Sequence, residues 1–513
     1  AHDWHVFGGA RVQMESYSLN TQVGYNTGND KTPFMSSSLL NANNGGSDDK
    51  WNSWAWYAQG EYNYLQRYYL QLNATAETSS RFGKDAINSI KAFGAPWTMF
   101  YGAQGAWVVS NESWMAGVEP IDYLRISAGY DVSGNDDIDY YAARSYFRAF
   151  KFMNSISGIA FDNIGNSELQ AEITRRFNVG LETNLLKNRL SIRLNGFFSN
   201  TDNLLTFQSL GFLSGLEYNW SNGGALSNRG VDASVVGKLI AAKNFQWEMG
   251  VSAGHYKNKI TRLADNKTFM DTQLYGATIR TEVGQAANLF YGYETEGVFA
   301  TSEQAAESGL YILAENGVDK KPFGAGDVIF KDNHEDGAID AKDMVVIGDP
   351  NPDIYGNLFS AMSYKRFRLD VNFNYSLGND VYNYMRSQLE GGNRFMNQTT
   401  AMLHRWQAEG QQTSMPRATF QDPMGNARFS DRWIEDGSYL RLKSATLSYN
   451  LPINSTFIQG FQFWVQANNV FTLSKYLGSD PEFAATSNVI GQGIDLGQLS
   501  QSRSIVAGIK INL

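Results

Sequence analysis

The stretch Arg368-Leu369-Asp370-Val371-Asn372-Phe373-Asn374-Tyr375 puts Leu369, Val371, Phe373 and Tyr375 on one side of an extended chain, and Arg368, Asp370, Asn372 and Asn374 on the other. A repeat of two is that of a β-strand whose faces meet different surroundings. Leu190, Ile192, Leu194 and Gly196 alternate in the same way with Arg189, Ser191, Arg193 and Asn195. At the end of the chain Ile505, Ala507, Ile509, Ile511 and Leu513 alternate with Ser504, Val506, Gly508, Lys510 and Asn512. The rhythm recurs in 54–64, 68–78, 174–185, 230–240 and 461–471. Strands of a soluble sandwich run about 5–6 residues, whereas a tilted membrane-crossing strand needs about 9–11. These runs have the membrane length.

The connections fall into two classes. Short polar ones at 65–67, 186–188, 242–244 and 365–366 read as tight hairpins. Long ones rich in Gly, Asn, Ser and aromatics occupy 17–53, 133–172, 202–229, 263–353, 378–437 and 472–501. Strands placed at 3–15, 54–64, 68–79, 97–110, 123–132, 174–185, 189–200, 229–241, 245–262, 354–364, 367–377, 438–451, 460–471 and 502–513 number fourteen. Successive strands cross in opposite senses, so every short turn then falls on one rim and every long loop on the other. Segment 263–353 counts wholly on the loop side. A sandwich has no reason to sort its loops by rim; a transmembrane antiparallel β-barrel does. The expected fold is all-β, with 263–353 as a long extracellular insertion.

Composition narrows the class. With 42 Lys+Arg against 51 Asp+Glu the formal net charge is −9, which argues against a general nucleic-acid binder. There are no cysteines, excluding a disulfide scaffold and a thiol nucleophile. No run of 18 apolar residues is present to cross a bilayer as a helix. Gly-x-Ser-x-Gly, His-Glu-x-x-His and P-loop patterns are also missing, and paired carboxylates such as Asp136 and Asp137 sit in polar loops where solvated charge explains them. Nothing in the sequence supports an enzyme.

Several short segments, taken in order, resemble those of the SusC-like (RagA-like) TonB-dependent transporters of Bacteroidetes outer membranes. They are Ser79-Ser80-Arg81-Phe82-Gly83-Lys84, Asn228-Arg229-Gly230-Val231-Asp232, Phe330-Lys331-Asp332 through Asp336-Gly337-Ala338-Ile339-Asp340, and Ile347-Gly348-Asp349-Pro350-Asn351-Pro352. Arg405-Trp406 with Pro416-Arg417, the run Asp431-Arg432-Trp433-Ile434-Glu435-Asp436-Gly437-Ser438-Tyr439-Leu440-Arg441-Leu442-Lys443, and Asn468-Asn469-Val470-Phe471-Thr472 with Asp480-Pro481-Glu482 complete the set. Departures from the family pattern are Ala76-Glu77-Thr78, Glu335 in place of a loop glycine, and Leu513 in place of a terminal Phe. The resemblance implies a plug domain, a TonB box and a 22-stranded barrel. Residues 1–513 are then expected to be the C-terminal part of a longer transporter, entering mid-barrel in the outer membrane. It also implies a SusD-like surface lipoprotein lid, energy from the TonB–ExbB–ExbD system, contact with outer-membrane lipid, and an oligosaccharide or oligopeptide as cargo.

Two sets of residues are candidates for binding. Asp332, His334, Asp336, Ala338, Asp340 and Asp343 occupy positions 1, 3, 5, 7, 9 and 12 of an EF-hand-like loop, with Gly337 where the turn is sharp. Calcium is one expectation, and a metal-free acidic turn held by side-chain-to-backbone hydrogen bonds is the other. Tyr218, Trp220 and Trp406 are loop aromatics able to stack on a sugar ring or contact a lid. The aromatics at strand ends, Trp54, Trp56, Tyr57, Tyr62, Tyr64, Tyr68 and Tyr69, are expected instead to form interfacial girdles. Two rivals to an energised importer remain at this point. A passive fourteen-stranded porin would need a closed ring of strands, and a secreted carbohydrate-binding β-protein would be soluble without detergent.

Overall fold

The structure is a computed structural model describing residues 2–24, 31, 43–152, 156–209, 216, 218–453, 457–483, 485–486 and 489–512. Fourteen strands form one continuous path. They are β1 His2–Val23, β2 Asn43–Tyr64, β3 Tyr68–Ser79, β4 Ala95–Val108, β5 Ile121–Asn135, β6 Glu172–Leu185 and β7 Leu190–Asp202. There follow β8 Ala225–Ala241, β9 Phe245–Arg262, β10 Ile354–Tyr364, β11 Phe367–Leu377, β12 Tyr439–Pro452, β13 Gly460–Ser474 and β14 Ser504–Asn512. Each pairs antiparallel with the next along the path. All fourteen expected spans are strands of this sheet; Leu513 lies outside the described residues.

The largest departure is at the first hairpin. Residues 17–53 were expected to be loop, yet Ser16–Val23 continues in register with Asn43–Lys50, while β2 meets β3 only from Ser53 onward. The hairpin therefore rises beyond its neighbours as a two-stranded ribbon. The Gly45-Gly46-Ser47-Asp48-Asp49 run has loop composition, and cross-strand pairing with Tyr17–Thr21 makes it extended. The ribbon is held at its base by Arg81, whose guanidinium lies 4.0 Å from the Trp51 ring, and by stacking of Tyr17 on Tyr140.

Following directly paired residues across the sheet shows the tilt that a barrel requires. Tyr64, the last residue of β2, faces Tyr68, and the line continues through Trp107, Ile126, Leu181, Leu194, Ala233, Ala253, Gly356, Tyr375 and Leu440 to Leu473. It starts at the short-turn rim and ends one residue before the loop rim of β13. A steady climb of this kind is the stagger by which a sheet of tilted strands curls into a barrel. The line is also almost wholly apolar. Residues of the opposite parity, such as Gln71, Gln104, Glu182, Arg193, Asp232, Asn357 and Asn374, form a polar face, where Asn357 donates to Asn374 at 3.1 Å and Arg193 to Glu182 at 3.0 Å. Large apolar side chains left bare on the first face, including Leu72, Val231 and Val251, fit lipid, while the second face fits water.

Aromatics concentrate on the apolar face near the short turns. Tyr64, Tyr68 and Trp107 stack in sequence, and Trp4 meets Tyr62 at 4.2 Å. Glu112, in the turn before β5, accepts from Tyr68 at 2.7 Å, Trp107 at 3.1 Å and Arg67 at 3.1 Å, so each ring has an apolar body and a wet tip. Two residues of the expected girdle lie elsewhere. Tyr57 pairs with Gly9 and Tyr69 with Ala106 on the polar face, because odd and even positions of one strand cannot share a side.

The short turns are tight enough to need left-handed backbone at ordinary residues. Leu65 and Gln66 both have φ of 55°, and Leu186, Lys187 and Asn188 follow suit at 57–59°. Among the described residues β1 pairs only with β2 and β14 only with β13. The sheet is a path with two edges, not the ring that a self-contained porin needs.

Candidate functional site: the loop body over the polar face

Three long connections at the loop rim, 263–353, 378–437 and 475–503, fold into one packed body. Their shared cluster contains Ala277, Ile279 and Phe290 from the first, Tyr382 and Trp433 from the second, and Ile494 from the third. Trp433 is completely buried and donates its indole N–H to the Arg428 carbonyl at 3.0 Å. A three-stranded sheet of Asp380–Asn383, Ile434–Asp436 and Ile494–Asp495 ties the second and third connections by backbone bonds. A second cluster, Phe299, Ala305, Phe323, Val328, Phe330 and Ile339, is closed by Met424 from the second connection.

The buried charges here are held by ion pairs or by hydrogen bonds. Asp327, fully enclosed, accepts from Arg417 Nε at 2.9 Å and Nη2 at 2.8 Å, from Asn426 at 2.8 Å and from the Gly324 amide at 2.8 Å. Arg386 binds Glu390 at 2.8 Å and Glu435 at 2.9 Å. Burial pulls the Arg432 guanidinium down to about 10, and its Nη1 donates to the Asn426 carbonyl at 3.0 Å. Burial likewise lowers Arg428, which lies over Tyr293 and Phe330.

The third connection is latched onto the polar face of the sheet. Arg441 of β12, 2% exposed, pairs with Asp480 and lies 3.3 Å from Glu482, while Lys443 donates to Gln501 at 2.7 Å. Nearby, Tyr476 donates to Asp495 at 2.5 Å, and the buried phenol is held well above its ordinary range by desolvation and then by that bond. The Asp480-Pro481-Glu482 and Tyr439-to-Lys443 segments singled out in the sequence are thus the two halves of one clasp. The first connection also folds back over this face, for Asn258 of β9 accepts from the Ala287 amide at 2.8 Å.

The acidic turn is closed by its own backbone. Asp332 accepts from the amides of Gly337 at 2.7 Å and Asp336 at 3.4 Å; Asp343, fully buried, accepts from His334 at 3.1 Å and Asp340 at 2.8 Å. Asp336 and Asp340 bond the amides of Ala338 and Lys342. Burial opposes the charge of Asp332, but these amides prevail and hold it below the usual carboxylate range. Gly337 has φ of 77°, the conformation expected at the sharp turn, and Glu335 takes a similar one at 56°. Among the described residues no group of three or more His, Cys, Asp or Glu is gathered as a metal site.

The three loop aromatics do not come together. Tyr218 begins the strand Tyr218–Asn222 opposite Leu205–Ser209, and its side chain lies outside the described residues. Trp220 packs on Ile138, Ala142 and Leu169 and donates to Asp139 at 3.1 Å. Trp406 donates to the Ala300 carbonyl at 3.1 Å and lies against Gly326, whose φ of 81° and lack of a side chain admit the ring. Sequence reading missed the residues that build the body, chiefly Asp327, Asn426 and Trp433. Their only signal is position within or beside the resembling segments.

A tilted sheet with one apolar and one polar face, and loops gathered at one rim, defines the wall of an outer-membrane β-barrel. The chain belongs to the family described as TonB dependent receptor-like, beta-barrel, whose model matches residues 1–470. It is therefore part of an outer-membrane receptor barrel of that family. It is 27% identical over 474 residues to TonB-dependent receptor P3 of Formosa agariphila, covering 89% of this chain and 45% of that protein. To TonB-dependent receptor SusC of Bacteroides thetaiotaomicron it is 26% identical over 488 residues, 89% of this chain and 43% of that one. The fold matches the RagAB peptide importer in its closed-closed state with a TM-score of 0.78 and 22% identity, over 99% of this chain and 53% of that chain. The chain spans about half the length of the curated relatives it matches.

Proposed function

We propose that the full-length protein is a SusC-like, TonB-dependent importer of oligosaccharides or oligopeptides, working beneath a SusD-like lipoprotein lid. The observation that carries this reading is the loop body: three connections share one core and are clasped to the polar face at a single rim. A rigid rim of this kind gives a lid something to close against, and substrate held by many weak contacts leaves slowly, so release inward needs work from the TonB system. The plug and TonB box belong to sequence outside this chain. Within this proposal Trp220 and Trp406 offer ring faces to substrate, since their indole N–H groups are already bonded.

The test is uptake of labelled oligosaccharide and of labelled oligopeptide by cells carrying or lacking the gene, with and without the proton gradient. Loss of uptake of one class on deletion, and equal loss on collapsing the gradient, supports the proposal. Gradient-independent uptake would instead indicate a passive pore.

A further inference from the structure

We propose that the outer face of the β8–β9 ribbon holds a phosphate of an anionic lipid at the loop-side membrane boundary. On that face β8 runs Gly237, Val235, Ala233, Val231, and β9 runs Met249, Val251, Ala253, His255 in register beside it. One step beyond Val231 the row turns cationic. Arg229 directly faces Lys257, and Ser227 faces Lys259 in the next outward pair. Opposed residues of an antiparallel pair lie about 5 Å apart and successive outward residues about 7 Å. Three cations therefore crowd a single small patch.

Like charges placed directly opposite each other destabilise a sheet, so a patch of this kind needs a counter-charge. Among the described residues none supplies it. All three side chains are exposed, and among the described residues none of them forms an ion pair or a side-chain hydrogen bond. Asp202, the carboxylate on the same face of β7, is taken by Arg175 at 2.5 Å. The whole chain carries a net charge of −9, which makes an uncompensated basic patch harder to ascribe to composition.

Height and shape identify the anion. The cations follow the last exposed apolar residue of the band, Val231 at 57% exposure, so they sit where lipid tails give way to headgroups. Phe198 pairs with Arg229 from β7 and is itself half exposed, offering an apolar neighbour to an acyl chain. Beyond Gly254 the flank of β9 is taken by the first connection, through the backbone bonds of Ile260 with Gly284 and Gln285, while the Lys257 and Lys259 side chains remain exposed on the outer face. Arg and Lys side chains at such a height bind phosphate oxygens by charge-assisted hydrogen bonds. The phosphorylated glycolipid of the outer leaflet presents that group at that level.

The test uses the full-length protein in detergent, with lipid retention followed by native mass spectrometry. Probes are bis-phosphorylated lipid A, its dephosphorylated form, and inorganic phosphate. The expected result is retention of the phosphorylated lipid, weak retention of the dephosphorylated one, and no displacement by millimolar phosphate. Each cation near a lipid surface contributes about fivefold, so the triple substitution Arg229→Gln, Lys257→Gln and Lys259→Gln is expected to weaken retention roughly a hundredfold. Exchanging Arg229→Lys and Lys257→Arg should preserve it. Equal retention of both lipids by the unsubstituted protein, or an unchanged triple variant, overturns the proposal. Competition by inorganic phosphate also overturns it, by assigning the patch to a free anion. Heat-modifiable gel mobility confirms that the variants are folded.

Discussion

Asp327 and Arg417 stand 90 positions apart in the chain and meet in a two-point ion pair, Nε to Oδ1 at 2.9 Å and Nη2 to Oδ2 at 2.8 Å, with the carboxylate wholly buried. The pair joins the first long connection to the second. Replacing Asp327→Ala leaves Arg417 and Asn426 facing an empty acceptor, at a cost of about 3 kcal/mol to the loop body. Hydrogen exchange should show amides of 324–330 and 415–428 opening faster while β9 to β11 stay protected. Unchanged protection of those loops would show that the pair does not hold them.

Trp433 tests whether the three connections act as one unit. Trp433→Ala empties the centre of the shared cluster and is expected to cost about 3–5 kcal/mol. Limited proteolysis should then cut in 263–353, 378–437 and 475–503 together. Cleavage confined to one of them would separate the loops.

The two faces of the sheet predict opposite tolerances. Val251→Arg places a charge in the apolar row among Val235 and Leu358 and should lower folding stability in bilayers by about 2–4 kcal/mol. Gln71→Arg, on the polar row, should change it by less than about 0.5 kcal/mol. Urea titration of the reconstituted full-length protein measures both, and equal penalties would contradict the assignment of faces.

Acid should loosen the loop body before the barrel. Burial and then Arg441 set the Asp480 carboxyl, with the ion pair prevailing, so its range lies below the ordinary one. Asp332, held by backbone amides, and Asp436, held by Ser438, are also lowered. A carboxyl whose folded pKa is depressed contributes stability above its unfolded value, about 3.9, and loses it as pH falls further. Asp380 is shifted upward by burial and works the other way, weakening the body as pH rises past that same value. Glu294, paired with Lys331, is lowered as well, and the lowered carboxyls outnumbering Asp380 predict net loss below about pH 4. Proteolytic sensitivity of 475–503 between pH 5 and pH 3 reads this directly.

Calcium gives a separate test of the acidic turn. Asp332 and Asp343 each already accept two backbone amides, so the turn closes by itself. Millimolar calcium should then shift Tm by less than about 1 °C, whereas saturating a tight site would add about 2.7 kcal/mol at a hundredfold excess over Kd. A rise of several degrees that disappears in Asp332→Asn would establish a calcium site.

Much of the architecture is legible one strand at a time. The segment Leu190–Asp202 reports its two faces through Leu194 and Arg193 alone, because each side chain's destination is set by parity within its own strand. Girdle residues are less legible. Tyr57 and Tyr69 look like Tyr62 and Tyr68 in composition, and only the pairing register separates the two groups. Trp220 and Trp406 stand out in the sequence as bare loop aromatics, yet each is anchored by a carbonyl or carboxylate far away in the chain.

What the amino-acid order determined by itself is local: a two-residue repeat, run lengths suited to a bilayer, and a sorting of long and short connections by rim. Such features survive because strand faces and hairpin turns depend on neighbours in sequence. Only the tertiary structure decided which distant partners meet. Arg417 finds Asp327, Arg441 finds Asp480, and Arg229 is set against Lys257, because register, tilt and loop packing bring together residues that carry no sign of one another in the chain.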